Sequence, residues 1–146
     1  TPLFYEDFDL TVKLISGKRT VTAQDIDAFA ALSGDTNPLH IDDAYAATTQ
    51  YGERIAHGLL GLAMISGLAW QLNCLNDSLE AFTDLKWRYH APVKIGDTIY
   101  AKVDFRKKRP LNDFAGGFVV LDVAVYNQHE ELVQKGTWTT LVRSRE

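Results

Sequence analysis

Cysteine is nearly missing from this chain of 146 residues: Cys74 stands alone. A lone cysteine excludes an intramolecular disulfide and any zinc site built on clustered cysteines, and it fits a reducing compartment. Basic residues are not in surplus. Fifteen Lys and Arg face 19 Asp and Glu, a formal net charge of −4, so the cationic surface that nucleic-acid binding requires is not expected. The longest apolar run, Gly58 to Trp70, falls short of the ~20 residues that span a bilayer, so no membrane partner is expected. No basic, apolar leader opens the chain, since Thr1 to Asp7 is acidic and aromatic. The first residue is not Met, which leaves room for an organelle leader already removed; the expected location is cytoplasmic. There is no serine-nucleophile elbow, Walker loop or dinucleotide fingerprint, and no repeat or linker-like stretch.

What is present fits one globular domain over residues 1–146. Apolar residues make up 46% and charged residues 23%, an ordinary balance. A chain of this length buries roughly 68–70% of its unfolded surface and needs no staple.

Periodicity divides the chain. Val12, Leu14 and Ser16 alternate with Lys13 and Ile15, a short strand signal. Thr22 reads as a helix N-cap with Asp25 in the capping-box position. Ile26, Phe29, Ala30 and Ser33 then follow the helical spacing, which predicts a helix over 23–33, ended by Gly34. Residues 34–41, Gly-Asp-Thr-Asn-Pro-Leu-His-Ile, cannot continue it, because Pro38 lacks an N–H and biases Asn37 away from the α region. Asp42 is placed to cap a short helix from Asp43 to Thr49. A loop, Gln50 to His57, leads to Gly58–Trp70, which is apolar around its whole circumference and must therefore be surrounded by protein, either a sheet or a partner subunit.

The second half alternates with period two. Thr83 to Tyr89, Ile99 to Phe105, Val119 to Val125 and Leu132 to Val142 each present one apolar face. Gly96-Asp97, Ala115-Gly116-Gly117 and Asn127 to Glu131 punctuate them. Strands joined by short turns are antiparallel. Helices early and strands late give an α+β class, most economically an antiparallel sheet curled around one long apolar helix.

Leu32-Ser-Gly-Asp-Thr-Asn-Pro-Leu-His40, followed by Ile55-Ala-His-Gly58 at the start of the apolar helix, resembles the MaoC-like, (R)-specific enoyl-CoA hydratase family. The resemblance covers roughly residues 5–105 and is sharpest over 20–70. It implies a hotdog fold, a homodimer, and syn addition of water to a trans-2-enoyl-CoA to give the (R)-3-hydroxyacyl-CoA. It implies no metal or redox cofactor, with coenzyme A present only as part of the substrate. It makes Asp35 and His40 the catalytic pair, with Asn37, Gly58 and Ser66 in support.

The same residues suit that chemistry on their own terms. Hydrating an unsaturated thioester needs a water at the β-carbon, a base for its proton and an acid for the α-carbon. A carboxylate and an imidazole on one proline-stiffened loop share those tasks near neutral pH. The Gly58 N–H, at a helix start, can bind the oxygen on which enolate charge develops. Asn37 can hold the loop or the water. Ser66, two turns along the helix, can face the same side; the resemblance implies that it lies beside Asp35, where its hydroxyl could orient the carboxylate.

Each assignment has a plainer counterpart. Asp35 is also a default turn residue. A lone His such as His40 is more often a satisfied loop residue. Ser66 can bond back to its own helix. His57, just before the helix, is placed to orient the loop but is taken as structural. His40-Ile41-Asp42, with His57, His90 or His129, spells a two-histidine, one-carboxylate iron set, although Asp42 is better used as a cap. Arg106-Lys-Lys-Arg109 reads as a solvated hairpin tip or as a dock for the nucleotide phosphates of coenzyme A. Arg54, before the helix, is a second phosphate candidate. Cys74 reads as a small buried apolar residue. Two other functions stay open: a hotdog thioesterase, and a non-catalytic acyl-thioester-binding module.

Overall fold

The computed structural model describes residues 2–146. Strands β1 (Lys13–Ile15) and β2 (Arg19–Thr20) come first, then helices α1 (Ala23–Ser33), α2 (Pro38–Ile41), α3 (Asp43–Ala47) and α4 (Gly58–Trp70). Four long strands follow: β3 (Leu79–Tyr89), β4 (Thr98–Pro110), β5 (Gly116–Tyr126) and β6 (Leu132–Arg143). The strands form one antiparallel sheet in the order β1-β4-β5-β6-β3, with β2 also on β4. This is the hotdog arrangement, with α4 laid against the sheet.

Local signals account for the early helices. The Thr22 hydroxyl accepts the Asp25 N–H, and the Asp25 carboxylate accepts the Thr22 N–H, closing the capping box that starts α1. Such a cap typically stabilises by about 1 kcal/mol. Gly34 ends α1 at φ +79°, the left-handed region that suits glycine. Pro38 does stop α1 from continuing, but it also starts a helix. It sits at the first position of α2, where its missing N–H costs nothing, and Asn37 caps that turn by accepting the Leu39 N–H at 3.0 Å. Asp42 caps α3 as expected, accepting the Tyr45 N–H at 3.0 Å, and α3 ends at Ala47, two residues short of the expected end.

β5 lies between two long neighbours, and its odd positions Val119, Leu121, Val123 and Val125 are all buried. On the sheet's inner face they meet Leu60, Met64, Ile65 and Leu68 of α4. The expectation that α4 is enclosed on every side is only half met. Leu59, Ala63, Ser66 and Trp70 form an uncovered stripe, with Leu59 60% and Trp70 53% exposed. β3 is the sheet's edge beyond β6 and carries two bulges, and Phe82, Leu85 and Tyr89 on it are exposed. The one buried face that alternation predicts for this strand is therefore missing, because none of the described strands lies beyond it.

The basic run is not a hairpin tip. β4 continues through Arg106–Arg109 to Pro110, and the turn follows. Arg106 pairs with Asp122, Lys108 donates to the Tyr5 carbonyl, and Arg109 lies over the Phe118 ring. Arg106 to Arg109 border an open groove with Lys86, Thr137 and Thr139. Phe118 and Val120 in that groove alternate with the buried positions of β5, which puts it on the sheet face turned away from α4. Cys74 is half-buried beside an apolar cavity under the carboxyl end of α4. Among the described residues, no helix is long and apolar enough to cross a membrane.

Candidate active site

The loop after α1 is tied to itself before it touches anything else. The Asp35 N–H donates to the Ser33 hydroxyl at 3.1 Å, and the Asn37 N–H donates to the Asp35 carboxylate at 3.3 Å. With Asn37 spent on capping α2, the short helix carries His40 at a fixed height. His40 Nδ1 then meets the Ile55 carbonyl at 2.8 Å. A carbonyl only accepts, so Nδ1 holds the proton and Nε2 is left for other work.

The segment entering α4 completes the site. His57 is 3% exposed, and its Nε2 reaches the Asp35 backbone carbonyl at 2.9 Å. Its ring stacks on His40 at 4.0 Å between centroids, with Phe29 at 4.9 Å. One ligand-type atom from each of Asp35, His40 and His57 lies within 4.8 Å of the other two. One water bridges such a gap with two hydrogen bonds of about 2.8 Å. The Asp35 side is exposed and His40 is half-buried, so the pair meets solvent.

Gly58 begins α4, and no side chain caps this helix. The first N–H groups paired back to the His57 carbonyl are those of Leu60 and Gly61. Among the described residues the Gly58 and Leu59 N–H groups have no backbone partner, as expected of an uncapped first turn. Gly58 is pinned from the sheet: its carbonyl accepts from Gln134 Nε2 at 3.2 Å, and Gln134 in turn accepts from Trp87 Nε1 at 2.9 Å. A β-carbon on Gly58 would stand 2.5 Å from Tyr89 Cε1, so glycine is needed for this close approach. A cavity of about 450 Å³ opens here, lined by His40, Gly58, Leu59, Tyr89, His90 and Gln134 among others.

Four of the six expected site residues thus gather at one place: Asp35, Asn37, His40 and Gly58. Two do not. Arg54 is no phosphate dock in this chain; it is 7% exposed, with Nε on the His40 carbonyl and its other nitrogen on Asp27 of α1, both at 2.5 Å. It braces α2 against α1 from behind. Ser66 donates to the Ala63 carbonyl at 2.8 Å instead of orienting Asp35, and it borders the apolar cavity further along α4.

Gln134 and Tyr89 are the residues that sequence reasoning missed, while His57 was weighed and taken as structural. Gln134 carried a signal, being a polar residue on the inward parity of a strand. The iron set His40-Ile41-Asp42 is not assembled, because Asp42 caps α3. The trio that could hold a divalent ion is Asp35, His40 and His57. Its two rings lie face to face, 28° apart, so their nitrogens run side by side instead of converging on one point.

A hotdog domain with an aspartate and a histidine beside the amino end of its central helix defines the class. The chain belongs to the MaoC-like domain family, whose model matches residues 12–124. It is 32% identical over 108 residues to the 3-hydroxybutyryl-CoA dehydratase of Methylorubrum extorquens, covering 74% of this chain and 67% of that one. It is 40% identical over 85 residues to the (R)-specific enoyl-CoA hydratase of Rhodospirillum rubrum, covering 58% of each chain. An unliganded R-hydratase of Pseudomonas aeruginosa superposes with a TM-score of 0.83 at 31% identity, over 99% of this chain and 88% of that one.

Proposed function

We propose that this chain is a hydro-lyase that reversibly hydrates a trans-2-enoyl thioester to the (R)-3-hydroxyacyl thioester. The observation that carries this reading is the meeting of the Asp35 carboxylate and the His40 ring, within 4.8 Å, beside an uncapped helix start. A water held between them gives its oxygen to the β-carbon and one proton to the base of the pair. The acid of the pair delivers a proton to the α-carbon. Both groups stand on one short segment, so oxygen and hydrogen arrive on the same face of the double bond. The Gly58 N–H takes the thioester oxygen as it gains charge. Dehydration is the same path reversed. The names of the relatives, a 3-hydroxybutyryl-CoA dehydratase and an (R)-specific enoyl-CoA hydratase, support a coenzyme A thioester. No metal or redox group has a step in this scheme.

A homodimer belongs to the proposal. The α4 stripe Leu59-Ala63-Ser66-Trp70 and the β3 edge are two apolar surfaces left open among the described residues. Leu59 borders the cavity at the amino end of α4, while Ser66 and Trp70 border an apolar cavity of about 180 Å³ further along. A second copy laid on the stripe would roof the surface between them into one acyl channel. Sedimentation should then give about twice the chain mass of 16.4 kDa; a single-chain mass removes the dimer from the proposal. A cytoplasmic location is part of the same proposal.

Incubation with crotonyl-CoA tests the activity. Loss of the enoyl absorbance without free thiol is the expected result. Thiol release with the enoyl band intact would make the chain a thioesterase, and binding with neither change would make it an acyl-thioester-binding module.

A further inference from the structure

We infer that His57 is a positioning residue that sets where the Asp35 carboxylate and the His40 ring stand relative to one another. The inference rests on the hydratase reading above and deepens it.

His57 makes contact with both members of the pair by different means. Its Nε2 faces the Asp35 carbonyl at 2.9 Å, and because a carbonyl only accepts, that nitrogen is the donor. This bond spans 22 residues and ties the loop after α1 to the start of α4. The ring face of His57 carries the His40 ring at 4.0 Å, with Phe29 at 4.9 Å. His40 is thus held by three contacts: its own Nδ1 on the Ile55 carbonyl, Arg54 on its backbone carbonyl, and His57 against its ring.

The remaining nitrogen of His57 shows what the residue is not. Nδ1 is buried and has no hydrogen-bond partner among the described residues. With Nε2 committed to the Asp35 carbonyl and Nδ1 enclosed, His57 is assigned no step of proton transfer. What His57 contributes is geometry: one N–H on the backbone of the acid–base aspartate and one flat surface under the acid–base histidine. Displacing catalytic groups by about 1 Å can cost on the order of 10²-fold in rate, and those two contacts control that displacement.

Two variants separate the contacts. His57→Phe keeps a ring under His40 and removes the N–H to Asp35. His57→Gln keeps a side-chain donor and removes the ring. Each is measured for kcat and KM with crotonyl-CoA, alone and combined with Asp35→Asn, with thermal unfolding recorded in parallel. His57→Phe should lower kcat by roughly 10²-fold with KM changed less than about threefold, and His57→Gln should recover part of that loss. In the Asp35→Asn background, removing the N–H should cost little more, because the group it positions is already disabled. The inference fails if His57→Phe keeps its kcat, or if its loss persists unchanged in the Asp35→Asn background. If His57→Phe does not fold, the cycle of His57→Gln with His40→Ala decides: once His40 is gone, removing the ring beneath it should cost little more, and a loss that persists unchanged there overturns the inference. Should Asp35→Asn alone retain full turnover, Asp35 is not part of the chemistry and this inference falls with it, whereas a parent chain that does not hydrate crotonyl-CoA removes the hydratase reading itself.

Discussion

The two ends of α4 differ in kind. At the amino end, Asp35, His40, His57, Gly58 and Gln134 form a polar cluster in which most groups are tied to a backbone carbonyl or N–H. At the carboxyl end, Ala69, Trp70, Leu75, Phe82 and Trp138 surround a small apolar cavity where shape alone is specified. The amino end is held in position by the loops before it, while the exposed stripe runs the length of the helix from Leu59 to Trp70. A helix start offers unpaired N–H groups and positive potential, which suits developing negative charge. A helix end offers carbonyls, which do not. In the proposed reading, the chemistry belongs at one end and the selection of the acyl chain at the other.

Changes at the polar end should act on turnover. Asp35→Asn or His40→Ala should each lower kcat by about 10²–10⁴-fold, the usual worth of a positioned acid or base, while ligand binding persists in a titration. Equal activity in either variant would remove that residue from the chemistry.

Gly58→Ala should weaken kcat/KM next most, since the new methyl group presses on the Tyr89 ring; such overpacking typically costs about 1–3 kcal/mol. Tyr89→Ala in the same chain should restore much of the loss, because the ring is half exposed at 50% and its removal leaves room. Failure of the double variant to recover would mean that the glycine is needed for something other than space.

At the apolar end, Ala69→Phe should leave crotonyl-CoA turnover nearly unchanged and penalise longer acyl chains, by roughly 0.8 kcal/mol for each methylene no longer buried. A chain-length profile identical to that of the parent would detach this cavity from the substrate.

Neither end should respond to Tyr100, which lies on β4 and bonds Glu130. That hydrogen bond first, and burial second, push the Tyr100 hydroxyl up to about 12 from its ordinary 10.0. A raised pKa in the folded state means that the contribution is intact below pH 10 and is lost as pH climbs towards 12. Tyr100→Phe should therefore flatten the alkaline limb of the stability curve between those values, with neutral-pH turnover unchanged. An unaltered limb would refute this assignment.

The sequence made legible what short-range rules decide. The Thr22 cap, the Gly34 stop and the Asp42 cap each depend on neighbours within four residues. The alternation of β5 was readable because β5 is central, with a strand on each side to complete the pattern. β3 alternates as clearly on paper, but it lies at an edge, and periodicity cannot say whether a neighbour exists. Pro38 was readable as a break and not as a beginning, since proline serves both at a helix start. The site was legible through its compact string from Asp35 to His40 and the glycine opening α4. Its supports were not: Arg54 finds Asp27 across 27 positions, His57 finds Asp35 across 22, and Gln134 finds Gly58 across 76. Ser66 was misplaced for the opposite reason, because a hydroxyl on a helix has its own turn's carbonyl closer than any distant partner.

The most direct test is a double-mutant cycle between Asp35 and His40, read as kcat for crotonyl-CoA hydration. If both act on one water, Asp35→Asn with His40→Ala should be little slower than the worse single variant, because groups that work as a unit lose their function together. If the two losses multiply, the residues act independently, and the shared water between them is wrong.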